Sequence, residues 1–164
     1  MNDEIRISTI VSLVANSRAK LGKTQLQKLV YFAQSEGLPL KYTFQIYHYG
    51  PYSFELANDL GSLDALEIVN VHNDPNGYEI RVSMGKFANK FVLPDKYQKK
   101  LGKVIDDFGA DTAAKLEVKA TIHFVSSVVR GESEIVRKVH ALKPRLSKQA
   151  IRQSYSELKH ANWV

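Results

Sequence analysis

Apolar residues recur at helical spacing through the start of the chain. Ile5, Ile7, Ile10, Val11, Leu13 and Val14 follow Asp3 and Glu4, which predicts a first helix over 3–18. Lys20-Leu21-Gly22-Lys23 reads as a short break. Thr24 is an expected N-cap, and Leu26, Leu29, Val30, Phe32 and Ala33 form the stripe of a second helix, stopped by Gly37 and Pro39. The pattern then changes. Tyr42 to Tyr49 alternate apolar, aromatic and β-branched residues, a strand that Gly50-Pro51 ends. Ser53 caps a short third helix through Phe54, Leu56, Ala57 and Leu60 up to Gly61. Residues 66–72 and 78–84 are strand-like, and Asn73-Asp74-Pro75-Asn76-Gly77 between them predicts a β-hairpin.

The order helix, helix, strand, helix, hairpin is that of a winged-helix-like unit with the hairpin as its wing. The loop at Gly85–Asn89 leads into a helical second half. Pro94-Asp95 opens a helix to Phe108, Asp111 or Thr112 caps a long one to Arg130, and a shorter one covers 132–142. Pro144 breaks the chain, and Ser147 caps a last helix to His160. The expected fold class is therefore α+β and helix-rich. A winged-helix-like unit over 1–85 packs on a helical half over 86–164, within one domain of 1–164.

Composition changes this picture in three ways. Hydrophobic residues at 44% and charged residues at 24% suit one globular core. No apolar run approaches the ~18–20 residues that span a bilayer, and Met1-Asn2-Asp3-Glu4 lacks the positive start of a signal peptide. The chain has no cysteine, which excludes disulfides, thiolate metal sites and cysteine nucleophiles and fits a cytoplasmic location. Charge is uneven. Residues 1–85 hold 7 basic and 9 acidic side chains, net −2, whereas 86–164 hold 16 and 8, net +8. A cationic half of this kind suits an acidic protein or a nucleic acid, or simply a solvated surface.

Two stretches go beyond generic patterning. One is Leu26-Gln27-Lys28-Leu29-Val30-Tyr31-Phe32-Ala33-Gln34 and the other is Tyr47-His48-Tyr49-Gly50-Pro51-Tyr52-Ser53, followed by Glu55-Leu56. In this order they resemble the YwgA-like proteins and the related Panacea (SocA-like antitoxin) domain, closer to the YwgA-like branch. Leu116 to Ile122 and Leu142-Lys143-Pro144 before the last helix resemble the tail of that group. The resemblance covers most of the chain. It implies an antitoxin-like protein that neutralises a toxin by direct contact.

In the second helix Leu26, Leu29, Val30 and Ala33 share a core-facing side, while Tyr31 and Gln27 lie on another that could meet a partner. In Tyr47–Ser53, three tyrosines and His48 fall around a sharp turn. Such tyrosines either pack with their hydroxyls bonded or line a contact surface. Candidate partner-binding residues are accordingly Tyr31, Tyr47, His48, Tyr49 and Tyr52. Catalysis by His48 would need Asp59 and Ser53 beside it, and the sequence does not show that they converge. Neither the five histidines (His48, His72, His123, His140, His160) nor any glycine-rich loop carries metal or nucleotide spacing, so no enzyme, metal or cofactor is expected.

The third helix, placed where a DNA reader would put its recognition helix, carries Ser53, Glu55, Asn58 and Asp59 with no Arg or Lys. Its carboxylates oppose phosphates. DNA contact would fall instead to Lys138, Lys143, Arg145, Lys148 and Arg152. The leading expectation is a non-enzymatic module that binds a protein, such as a toxin with an acidic patch. A nucleic-acid-binding regulator is the alternative.

Overall fold

The computed structural model describes residues 2–17, 21–76 and 79–164. The first helix, α1 (Asn2–Ala15), stops short of the expected 18, a position outside the described residues, as are Lys20 of the expected break and Gly77 of the expected turn. Leu21–Gly22 form a two-residue strand, β1, which the alternation could not reveal because so short a piece has no period. Helix α2 (Lys23–Ser35) follows at once. Its N-cap is Gly22 and not Thr24, and the Gln25 side chain reaches back to accept the Gly22 N–H at 3.0 Å.

The expected strand over 42–49 is mostly not one. Only β2 (Gln45–Tyr47) is strand, and it pairs with β3 (Gly50–Tyr52) across a tight turn at His48-Tyr49. Gly50-Pro51 begins the returning strand where the sequence suggested an end. The part before it is tied to helices. Gln34 on α2 clamps Tyr42, accepting its N–H at 2.7 Å and donating to its carbonyl at 2.9 Å. Arg6 on α1 donates to the carbonyls of Leu40 and Lys41.

Ser53 caps α3 (Phe54–Ala65) by accepting the Leu56 N–H. The helix continues past Gly61 because Leu60 and Leu63 both reach the core, a gain that outweighs the ~1 kcal/mol cost of a helical glycine. Strands β4 (Val69–Asn73) and β5 (Ile80–Met84) form the expected hairpin in the register Val69↔Met84 to Asn73↔Ile80. On its other edge β5 pairs with β1, giving a sheet of order β1-β5-β4.

After a 3-10 turn at Ala88–Lys90 come α4 (Asp95–Phe108), α5 (Ala113–Ser126), α6 (Glu132–Leu142) and α7 (Lys148–His160). Thr112 caps α5 and Ser147 caps α7 by the same hydroxyl-to-amide bond. Helix α5 ends before the expected Arg130 because the hydroxyls of Ser126 and Ser127 take the carbonyls of His123 and Phe124. The chain is thus helix-rich α+β, as its periodicity predicts. One continuous core runs from Ile10 on α1 to Trp163 at the end, where the indole stacks edge-on against Phe32 of α2. Helix α2 lies at the centre, buried from Leu26 to Ala33.

Candidate functional site: an aromatic hairpin clamped by buried polar side chains

Two residues inside the buried run of α2 are polar, Gln27 and Lys28, each 1% exposed. Both face the β2–β3 hairpin. Gln27 donates to the Ser53 carbonyl and accepts the Ser53 N–H, each at 2.9 Å. Lys28 Nζ donates to the Pro51 carbonyl at 2.7 Å. Two of the glutamines of α2 therefore clamp the backbone on both sides of the hairpin, Gln34 at Tyr42 and Gln27 at Ser53.

From the opposite side, Gly50 adopts φ +86° and lies against α5, where a Cβ would stand 2.7 Å from Thr121 Oγ1 and 3.3 Å from the Glu117 carbonyl. The tip of the turn is held by Lys143, whose Nζ donates to the carbonyls of Tyr47 at 2.9 Å and His48 at 2.5 Å. The buried carboxylate of Glu117 balances this charge, 3.6 Å from Lys143 and also paired with Arg145. Burial lowers Lys28 to about 8 against the pull of Glu117, with Lys143 adding to the downward effect. Lys28 thus remains mostly cationic at neutral pH.

With its backbone held from behind, the hairpin turns its aromatic side chains outward. Tyr47 is 43% exposed, Tyr49 58% and Phe54 49%. The Tyr47 ring centroid lies 5.5 Å from Tyr52 and 5.3 Å from Phe54, and Tyr52 lies 5.0 Å from Phe54 in an edge-to-face contact. Tyr47 also meets the His48 ring at 4.2 Å. Burial, with Tyr47 beside it, raises the Tyr52 phenol. Between Tyr47, His48, Tyr49 and Tyr52 on one side and the first turns of α2 on the other is a groove of about 200 Å³, with Lys23 and Lys28 in its lining.

The structure brings four of the five sequence-derived contact residues together: Tyr47, His48, Tyr49 and Tyr52. Tyr31 is a correction. It is 7% exposed, its hydroxyl bonds His123 Nδ1 at 2.7 Å, and its ring packs edge-on against Phe32 and Phe44. Burial pushes its phenol well up. Gln27, read as a possible partner contact, is likewise spent inside the fold. Phe54, read only as part of the third helix, is exposed beside the tyrosines. Sequence reasoning also missed the supporting roles of buried Lys28, on the Pro51 carbonyl, and of buried Glu117, beside Lys143. The available signal was a lysine flanked closely by apolar residues on a central helix.

The basic set divides. Lys138 on α6 and Lys148 and Arg152 on α7 are exposed. Lys143 is a second correction: at 6% exposure its ammonium is occupied by the hairpin carbonyls and Glu117 and is not presented to a phosphate. Arg145 is exposed yet drawn into the pair with Glu117, which raises its pKa. The trio that catalysis by His48 would need is not assembled. Ser53 caps α3, while Asp59 accepts from the Tyr42 hydroxyl at 2.6 Å and pairs with Arg6. Among the described residues no group of three or more His, Asp or Glu side chains is placed to hold a metal ion, and no helix is long and apolar enough to cross a membrane. Comparison of the chain with models of known families and with curated proteins finds no match.

Proposed function

We propose that the chain is a non-enzymatic protein-binding module that docks its partner on the Tyr47, His48, Tyr49, Tyr52 and Phe54 face, in the manner of an antitoxin that neutralises a toxin by contact. One observation carries this reading: large aromatic side chains stand exposed on a backbone that Gln27, Lys28 and Lys143 fix from behind. Exposed aromatics on a rigid support lose little conformational freedom on binding, and tyrosine is enriched among residues that dominate interfaces. The resemblance of 26–34 and 47–53 to the YwgA-like and Panacea group supports the antitoxin-like part. The order α1, β1, α2, α3, β4, β5 with the sheet β1-β5-β4 supports a winged-helix-like description of the first half. A DNA-reading role gains nothing from α3, whose first turn carries Glu55, and the basic patch gives up Lys143 to the interior.

The test is affinity capture with the tagged full chain from its native host, washed at low and high salt, alongside Tyr47→Ala combined with Tyr52→Ala. A stoichiometric protein that resists high salt and is lost with the double variant is expected, at a cost of about 2 kcal/mol or more, roughly thirtyfold in affinity. Retention of the partner by a variant with an unchanged circular dichroism spectrum refutes the site. Nucleic acid alone, washing off with salt, refutes the protein-binding reading.

A further inference from the structure

Two lysines, Lys23 and Lys28, are among the residues that line the aromatic groove. An ammonium has three donors. Lys28 Nζ is buried, and among the described residues its one hydrogen-bond acceptor is the Pro51 carbonyl. It nevertheless lines the groove together with Lys23 from the rim. The carboxylate that acts on it, Glu117, is already shared by Lys143 and Arg145. The groove is thus a small, positively charged slot with tyrosine walls.

We propose that this groove takes a single carboxylate presented by a polypeptide partner, a side chain or a chain end, with the carboxylate drawn by Lys23 and by the buried charge of Lys28 and the flanking apolar atoms against Tyr47 and Tyr52. The inference rests on the protein-binding reading and names the chemistry the partner must offer. Size supports it: about 200 Å³ is below the ~300–1,000 Å³ of small-molecule pockets and suits one side chain. Charge distinguishes an acidic peptide from a nucleic acid. The first turn of α3, next to Tyr52 through Phe54, carries Glu55, which opposes a run of phosphates along this face but not a single carboxylate in the groove. Burial strengthens the attraction, since few waters screen the charge of Lys28.

The test is a titration of the isotope-labelled full chain, read by amide chemical shifts, with three capped pentapeptides on one apolar frame. One carries a glutamate side chain and an amidated end, one a glutamine and a free terminal carboxylate, and one a glutamine and an amidated end. At least one acidic peptide is expected to shift the amides of 23–28 and 47–53 and to bind about tenfold more tightly than the neutral one. The tighter of the two tells side chain from chain end. Equal affinity for all three overturns the proposal, as do shifts centred elsewhere. Tighter binding of inorganic phosphate or of a short single-stranded DNA than of either acidic peptide overturns it too. A folded Lys28→Met variant is expected to lose the preference, and its retention counts against the proposal. If that variant does not fold, the three-peptide comparison on the unaltered chain decides alone. A partner captured through the tyrosines with no carboxylate preference would refute this inference and leave the protein-binding reading standing. A carboxylate preference with no tyrosine-dependent partner would do the reverse.

Discussion

The chain contains two hairpins, and they are stabilised by different means. The β4–β5 hairpin pairs five residues on each strand, buries Val69 and Val82 completely, and continues through β5 into β1. Its ladder and its apolar face suffice. The β2–β3 hairpin pairs only three residues on each strand and, among the described residues, has no third strand. A ladder of that length is marginal in water. What holds it is polar and remote in sequence: Gln27 and Lys28 from α2, Lys143 from beyond α6, and the α5 surface under Gly50. The difference has a functional consequence. A hairpin that needs its side chains for a core cannot offer them to a partner, whereas one clamped by its backbone can.

The largest effect should come from the charge beneath the clamp. Glu117→Gln keeps the shape but leaves the buried Lys143 with no full counter-charge, and breaking such a pair costs about 3–5 kcal/mol. The matched change in the other hairpin is Asp74→Asn. Asp74 lies 3.9 Å from Arg81 on an accessible surface, so that variant should stay within about 1 kcal/mol of the parent. Urea unfolding of both variants measures the contrast. Equal losses would mean that the two hairpins do not differ in the way described.

Much of this architecture was legible in the chain. The helices follow from apolar spacing, Ser53 and Ser147 cap the helices that the sequence assigns to them, and of the two caps it allows for α5, Asp111 or Thr112, the structure uses Thr112. The β4–β5 strands were legible because alternation runs long enough to be seen. Strand β1 was not, since its strand character comes from β5 and not from Leu21 and Gly22 themselves. The aromatic turn could be located but its orientation could not. The same residue types at the same spacing suit a packed core or an exposed face, and what decides between them are Gln27, Lys28 and Lys143, at least 23 positions away from their hydrogen-bond partners in the chain. Tyr31 illustrates the converse. It lies off the main apolar stripe, yet α4 and α5 close over α2 from further sides, and Tyr31 finds His123 there.

Two glycine substitutions should move stability in opposite directions. Gly50→Ala places a Cβ at φ +86° against Thr121 and the Glu117 backbone, and should cost about 2 kcal/mol through strain and contact together. Gly61→Ala falls in the middle of α3, exposed and with nothing within 4 Å of the new Cβ. It should add roughly 0.5–1 kcal/mol. Thermal unfolding of the pair gives the signs, and a neutral Gly50→Ala would show that the close approach to α5 does not fix the turn.

The effect most specific to the clamp is the pH dependence of Lys28. Its folded pKa is about 8, below the 10.5 of an unperturbed lysine. Between those values the unfolded chain binds more protons than the folded one, so the contribution of Lys28 to stability rises as pH rises. Below about 8 both states carry the proton and the burial penalty stands in full. The window closes near pH 10 for another reason. Burial raises Tyr31 and Tyr42 in the folded state, so their ionisation in the unfolded chain erodes stability above that point. Subtracting Lys28→Met, which cannot titrate, isolates the lysine. The stability difference between parent and variant should shift in favour of the parent by about 1–2 kcal/mol from pH 8 to pH 10 in paired urea titrations. The β4–β5 hairpin should show no matching rise, because no buried lysine among the described residues bonds to it. A flat difference would mean that Lys28 meets enough water or counter-charge to titrate normally, and the hairpin would then be held by Gln27 and Lys143 without it.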